Sequence, residues 1–232
     1  MLAWDPDHTR IDFIVGDFSY QYNNPKEHSA GVTLLGGNGN VYEKTKLTIP
    51  ATVTYGGETL AVTTIGKEAF KDNKDINTVV IQEGVSSIGK HAFDGCKQIT
   101  EVTFPTTIEY FYEAAFKNCE LLTSIDLSGC RTITPGGLHK HYAEKDINAV
   151  FSGCKRLTSV KLPTYEYFRT IPADWFKDCT SLKTITTPQV PSPNDHSGLH
   201  EPIGSYTLAG CIQAAFCHPA APLCGRPCRH LI

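Results

Sequence analysis

The chain has 232 residues, room for one or two ordinary domains or a single solenoid. Apolar residues make up 41% of it and charged residues 19%, with a formal net charge of -3, so there is material for a core and no basic groove for nucleic acid. No apolar run reaches the roughly 18–20 residues of a membrane-spanning helix, and the nine cysteines, an odd number, argue against a complete disulfide framework.

The opening M-L-A-W-D-P-D-H-T-R lacks the positive segment and apolar core of an export signal. Residues 11–22, I-D-F-I-V-G-D-F-S-Y-Q-Y, are a strand-like run, and Asn23-Asn24-Pro25 is expected to stop it. Residues 30–35 form a second short strand closed by the turn cluster G-G-N-G-N at 36–40; no strand–loop–helix context makes that cluster a phosphate cradle. Leu47-Thr48-Ile49-Pro50 anticipates Val102-Thr103-Phe104-Pro105 and reads as an atypical first rung. Two β-prone runs around Gly56-Gly57, over 53–62, predict a hairpin.

From Val62 a repeat takes over. V-T-T-I-G-K-E-A-F returns as V-S-S-I-G-K-H-A-F, and the phenylalanine marker recurs at Phe70, Phe93, Phe116, Phe151 and Phe176, at spacings of 23, 23, 35 and 25. A fixed period of this size belongs to stacked-repeat solenoids. The long spacing holds an insertion over 135–147, expected to loop out from between two rungs. In each unit an alternating segment such as Val102-Thr103-Phe104 or Ile125-Asp126-Leu127 predicts a strand with one buried face, and such strands stack into a parallel sheet. The I-G-x-x-A-F segment predicts a short turn of helix or a bend, with phenylalanine filling the core. Pro105, Pro163 and Pro188 end their strands. Beyond Pro188 the chain turns rich in Pro, Ser, Asn and Gly, and 205–211 is a candidate last weak strand. The expected division is an N-terminal β cap over 1–61, five repeats over 62–188, and a loop-rich arm with a Cys-rich tail over 189–232.

The unit V-x-x-I-G-x-x-A-F-x-x-C-x-x-L-x-x-I-x-L-P resembles the BspA-like leucine-rich repeat, over about 62–188. The resemblance implies an α/β, β-rich solenoid: a right-handed leucine-rich-repeat superhelix with an N-terminal β cap. It further implies a secreted or cell-surface protein, an adhesin or antigen that binds proteins of a host or a neighbouring cell. Any export signal then lies outside this sequence or has been removed. The insertion at 135–147 and the ending after Cys211 depart from the pattern.

Four cysteines, Cys96, Cys119, Cys154 and Cys179, share one repeat position, where the first unit has Asn73. A side chain there can satisfy backbone groups of the neighbouring loop, and a free thiol also suits a core, so the column reads as a structural ladder. Metal binding or cross-linking is the alternative, since rungs stand about 5 Å apart. In the tail, Cys211, Cys217, Cys224 and Cys228 with His218 and His230 have gaps of five, six and three residues. Structural zinc sites use pairs two to four residues apart, so only the last gap fits. Disulfides, or a tail without fixed structure or foreign to the domain, are the other readings. His139, His141 and Asp146 in the insertion read as an exposed polar loop that could hold a metal. No metal and no cofactor are expected.

The outward strand positions are Thr78 and Val80, Glu101 and Thr103, Ser124 and Asp126, Ser159 and Lys161, Thr184 and Thr186. Taken singly, each is a solvated residue. As a set they form the default binding surface of a curved solenoid. Tyr110, Tyr112, Tyr165, Tyr167 and Phe168 lie near rung edges, where tyrosine suits an interface. The expected function is non-enzymatic: protein recognition or adhesion through the concave sheet face, with neither nucleic-acid binding nor membrane insertion. The alternatives are a structural spacer of an envelope protein with no ligand of its own, and a metal-dependent activity in the Cys/His-rich tail.

Overall fold

The fold is described from a computed structural model, over residues 11–23, 31–37, 42–130, 134–135, 149–163, 174–186 and 206–207. The run at 11–22 is not one strand. It folds as a hairpin, β1 (Phe13–Val15) against β2 (Phe18–Tyr22), with Val15 opposite Phe18. The two-residue turn is Gly16-Asp17, and Gly16 takes φ +59, the positive angle that a tight turn of this kind demands. β3 (Val32–Gly37) runs antiparallel to β2 and parallel to β6. β4 (Lys46–Ile49) follows, then the expected glycine hairpin, β5 (Thr52–Tyr55) with β6 (Glu58–Ile65). The second arm of that hairpin continues into the first repeat.

The repeats then contribute strands to two ladders. The first ladder is the expected one: β7 (Thr78–Ile81), β9 (Glu101–Thr103), β11 (Ser124–Asp126), β13 (Ser159–Lys161) and β14 (Thr184–Thr186), all parallel. β4 joins its start in register, Leu47 beside Val79 and Ile49 beside Ile81. The expected single sheet is broken between β9 and β11, which do not pair as strands; the row is two sheets, β4–β7–β9 and one starting at β11, linked by the Thr123 N–H to the Thr100 carbonyl at 3.5 Å. β15 (Tyr206–Thr207), inside the expected weak strand, closes on β14 antiparallel. The second ladder runs β6–β8 (Ser87–Ile88)–β10 (Tyr110–Phe111)–β12 (Thr134–Pro135). Buried side chains of both ladders enter one core.

The segment carrying the phenylalanine contains no helix; among the described residues the protein is strand and turn only. The α part of the α/β expectation is therefore corrected. The reason is in the backbone. Two residues before each marker phenylalanine, at Glu68, His91, Ala114, Ala149 and Asp174, φ lies between +55 and +64. Two residues after it, at Asp72, Gly95, Asn118, Gly153 and Asp178, φ is positive again. Only three residues remain between the two left-handed positions, less than one turn of α-helix. In exchange, alternate N–H groups point along the stack. Phe93 N–H donates to the Ala115 carbonyl (2.8 Å), Phe116 to Val150 (2.8 Å) and Phe151 to Trp175 (2.9 Å). The bond from Phe116 spans the long unit, so the rungs on either side of the insertion still stack directly. The phenylalanine rings follow the same path as a near-parallel pile from Phe70 to Phe176.

Close backbone approach fixes the glycine of the I-G pair. Gly89 N–H donates to the Ile65 carbonyl at 2.8 Å. A Cβ on Gly89 would lie 2.7 Å from the Gly66 carbonyl carbon.

A left-handed alanine is costly, and one prediction follows from that. The conformation costs an L-residue about 1–2 kcal/mol, while added unfolded-chain freedom costs a glycine about 0.4–1 kcal/mol. Ala149 is half-buried with φ +64. Ala149→Gly is expected to stabilise the fold by roughly 0.5–1 kcal/mol, read as a higher urea midpoint at unchanged m-value. A lower midpoint would contradict it.

Candidate binding face

The corner between the phenylalanine turn and the first ladder is held by the cysteine column. Cys96, Cys119, Cys154 and Cys179 are buried free thiols. Each donates to the carbonyl of the marker phenylalanine one rung back: Cys96 to Phe70 at 2.9 Å, Cys119 to Phe93 at 3.4 Å, Cys154 to Phe116 at 3.4 Å and Cys179 to Phe151 at 3.1 Å. Asn73 does the same in the first unit, its Nδ2 donating to the Tyr42 carbonyl at 2.7 Å. Its Oδ1 also accepts the N–H groups of Asp75 and Ile76, both at 2.9 Å. Burial pushes the Cys96 thiol up to about 12 and the Cys119 thiol well above its ordinary value, so both are neutral donors at physiological pH. Cys130 is a fifth buried thiol, bonded to the Pro105 carbonyl at 3.5 Å.

The chemistry of this corner sets an expected result. Cys119→Asn keeps a donor aimed at the Phe93 carbonyl and is expected to cost no more than about 1 kcal/mol. Cys119→Ala leaves that carbonyl orphaned in the core and is expected to cost about 1–3 kcal/mol. Urea unfolding of the two variants checks the order, and alanine equal to asparagine would refute it.

Past the corner the strands rise with one face in the core. Val79, Val102, Ile125, Val160 and Ile185 are buried. The residues on either side of each of them look outward. Glu101, Thr103, Ser124, Asp126 and Lys161 are exposed, and Thr78, Val80, Ser159, Thr184 and Thr186 are half-buried. Strand register brings them into two columns. Thr78 stands beside Glu101, Ser124 beside Ser159 and Ser159 beside Thr184; Val80 stands beside Thr103, Asp126 beside Lys161 and Lys161 beside Thr186. Lys46 and Thr48 of β4 extend both columns by one exposed position each.

A third column was not picked out from the sequence. It consists of Asn77, Thr100, Thr123 and Thr158, one residue before each strand, all exposed. Each threonine hydroxyl donates to the carbonyl one rung back: Thr100 to Asn77 (3.1 Å), Thr123 to Thr100 (3.5 Å) and Thr158 to Thr123 (3.0 Å). The signal was the threonine before E-V, S-I and S-V, visible once the units are laid in register.

Charges on the face are few. Lys161 Nζ meets Asp126 Oδ2 at 3.0 Å, and Asp126 Oδ1 accepts the Ser128 N–H (3.0 Å) and hydroxyl (2.6 Å). Partial burial pushes the Asp126 carboxyl up, but the Ser128 bonds and Lys161 outweigh it and hold the group below its ordinary range. At the corner, Lys97 and then Lys155 hold Glu120 low, at 3.1 and 3.2 Å. Every buried side-chain nitrogen and oxygen among the described residues has a hydrogen-bond partner. Tyr110 and Tyr112 are half-buried on the second-ladder side. Tyr165, Tyr167, Phe168, the insertion histidines with Asp146, and the tail cysteines with His218 and His230 lie outside the described residues.

A family model of the BspA type leucine-rich repeat region matches residues 63–192 and 145–214, in six copies. No curated protein matches the chain. Among solved structures it is similar to a leucine-rich repeat protein from Bacteroides capillosus ATCC 29799, with 26% identity and a TM-score of 0.46 over 53% of this chain and 88% of that one. A leucine-rich repeat protein from Bacteroides ovatus ATCC 8483 has 24% identity and a TM-score of 0.44, over 76% of this chain. The match spans only 53% of that protein's length. A T. pallidum leucine-rich repeat protein has 18% identity and a TM-score of 0.45, over 73% and 79% of the two chains.

Proposed function

The chain belongs to the BspA-type leucine-rich repeat family, and from that premise we propose that it is a non-enzymatic binding module. Its partner is a protein on a host or neighbouring cell, met by the outward columns of β4 to β14. The reading also places the protein outside the cell or on its surface. The observation that carries it is the continuity of the face. Six strands in succession bury one side and present the other, and the presented side is mostly polar and low in charge from Lys46 to Thr186. A rigid array of this kind is what curved solenoids use for extended contacts, and rigidity reduces the ordering cost of association.

The test is capture of surface proteins on the immobilised chain, compared with two variants. Ser124→Arg places a long cation at the centre of the face. Lys177→Gln alters an exposed residue on the phenylalanine-turn side. Capture that is lost with the first and kept with the second supports the reading. Capture indifferent to Ser124→Arg, or none at all, leaves the spacer role in its place. Digestion of intact producing cells with an external protease tests the location, since a surface protein is cut and an enclosed one is spared.

A further inference from the structure

We infer that the face takes an extended segment that carries an arginine or lysine over β9 and β11 and a carboxylate three residues away over β4. The inference rests on the binding reading above and names the chemistry of the partner. The charges follow a fixed order across the strands. Lys46 lies on β4; β7 brings no charge; Glu101 lies on β9, Asp126 on β11 and Lys161 on β13. Lys161 is already engaged by Asp126. Among the described residues no cation pairs with Glu101 and no anion with Lys46, and both are exposed. Two strand spacings of about 4.8 Å put Lys46 and Glu101, which share one column, near 10 Å apart. A peptide crossing the strands in the extended polyproline II form rises about 3.1 Å per residue with three residues per turn, so side chains three residues apart cover that distance and lie on the same side.

The hydroxyls around Glu101 favour the same partner. Thr100 and Thr123 donate their protons to carbonyls one rung back, and Thr78 donates to Asn77 Oδ1 at 3.1 Å. Their lone pairs are what they offer to solvent. A carboxylate ringed by acceptors suits a group that is all donors, and guanidinium carries five N–H donors and no acceptor.

The experiment uses the full chain and the blocked peptide Ser-Glu-Ser-Ser-Arg-Ser, with binding followed through backbone amide shifts in NMR. The peptide is expected to shift the amides of Glu101 and Ser124. Replacing its arginine by citrulline, or making Glu101→Gln, should weaken binding about two- to fivefold, the scale of one exposed ion pair. A peptide with glutamate in place of arginine should bind Glu101→Lys better than it binds the parent. Equal binding of the arginine and citrulline peptides, or no binding at millimolar peptide, overturns the inference. If surface-protein capture still depends on Ser124→Arg in that case, the binding reading stands and only the cationic partner is lost.

Discussion

Phe116→Ala is expected to lower the stability of the protein by about 3–5 kcal/mol, the usual cost of emptying a buried phenylalanine site. The ring is fully buried and lies in the middle of the pile, 4.8 Å from Phe93 and 5.6 Å from Phe151, within 15° of parallel to both. Phe104 packs on it edge-on at 5.6 Å. In a solenoid each rung is held by its two neighbours, so a central void weakens two interfaces at once. Collapse cannot refill the void, because the backbone on both sides is tied by the bonds from Phe93 N–H to Ala115 and from Phe116 N–H to Val150. At about 2–4 °C per kcal/mol for a chain of this size, the melting temperature should fall by roughly 6–20 °C. Phe116→Leu, which keeps most of the volume, should fall much less. An alanine variant melting within about 2 °C of the parent would show that the pile does not carry the core.

The repeat was legible because its period fixes the register of every unit, and with it the alternation that buries Val102 and leaves Glu101 and Thr103 outside. The corner was legible for a chemical reason: asparagine and cysteine at one position share only the ability to donate to a nearby carbonyl, and that is how Asn73 and Cys96 act. The turn was not legible. The first of its two left-handed positions holds Glu68, His91, Ala114, Ala149 and Asp174, none of them glycine, and the second holds glycine only at Gly95 and Gly153, so no recurring glycine marked the positive φ. Nor was the second ladder, whose strands at Ser87–Ile88 and Tyr110–Phe111 are too short to show alternation. The fifth unit departs from the small residue before its phenylalanine. Trp175 stands where Ala92 and Ala115 stand, and it is accommodated by packing edge-on against Phe111 and Phe151, at 5.9 and 5.7 Å. On the face, alternation located the outward residues, but the inward donation of the threonine hydroxyls depends on contacts one rung away.

The second large effect is expected in alkali. Burial pushes the thiols of Cys96 and Cys130 up to about 12 and that of Cys119 well above its ordinary value. Cys154 moves the same way, through its hydrogen bond with Cys179 and then through burial. In the unfolded chain a thiol ionises near pH 8.5. Below that pH both states hold the proton and the stability is fully present. Above it the unfolded chain releases protons that the folded chain keeps, so stability falls with rising pH until the folded thiols ionise as well. Each thiol contributes about 1.4 kcal/mol per pH unit in that window. Cys96 and Cys130 alone withdraw on the order of 3 kcal/mol between about pH 8.5 and 10, a large part of a domain's stability, and Cys119 and Cys154 add to the fall in the same direction. The urea midpoint of the parent should therefore drop steeply over that range. A variant with Cys119→Asn and Cys154→Asn should lose roughly half the slope, because asparagine keeps the donor and carries no ionisable proton. A flat midpoint between pH 8.5 and 10, or the same slope in parent and variant, would mean that the column is open to solvent and does not seal the corner of each rung.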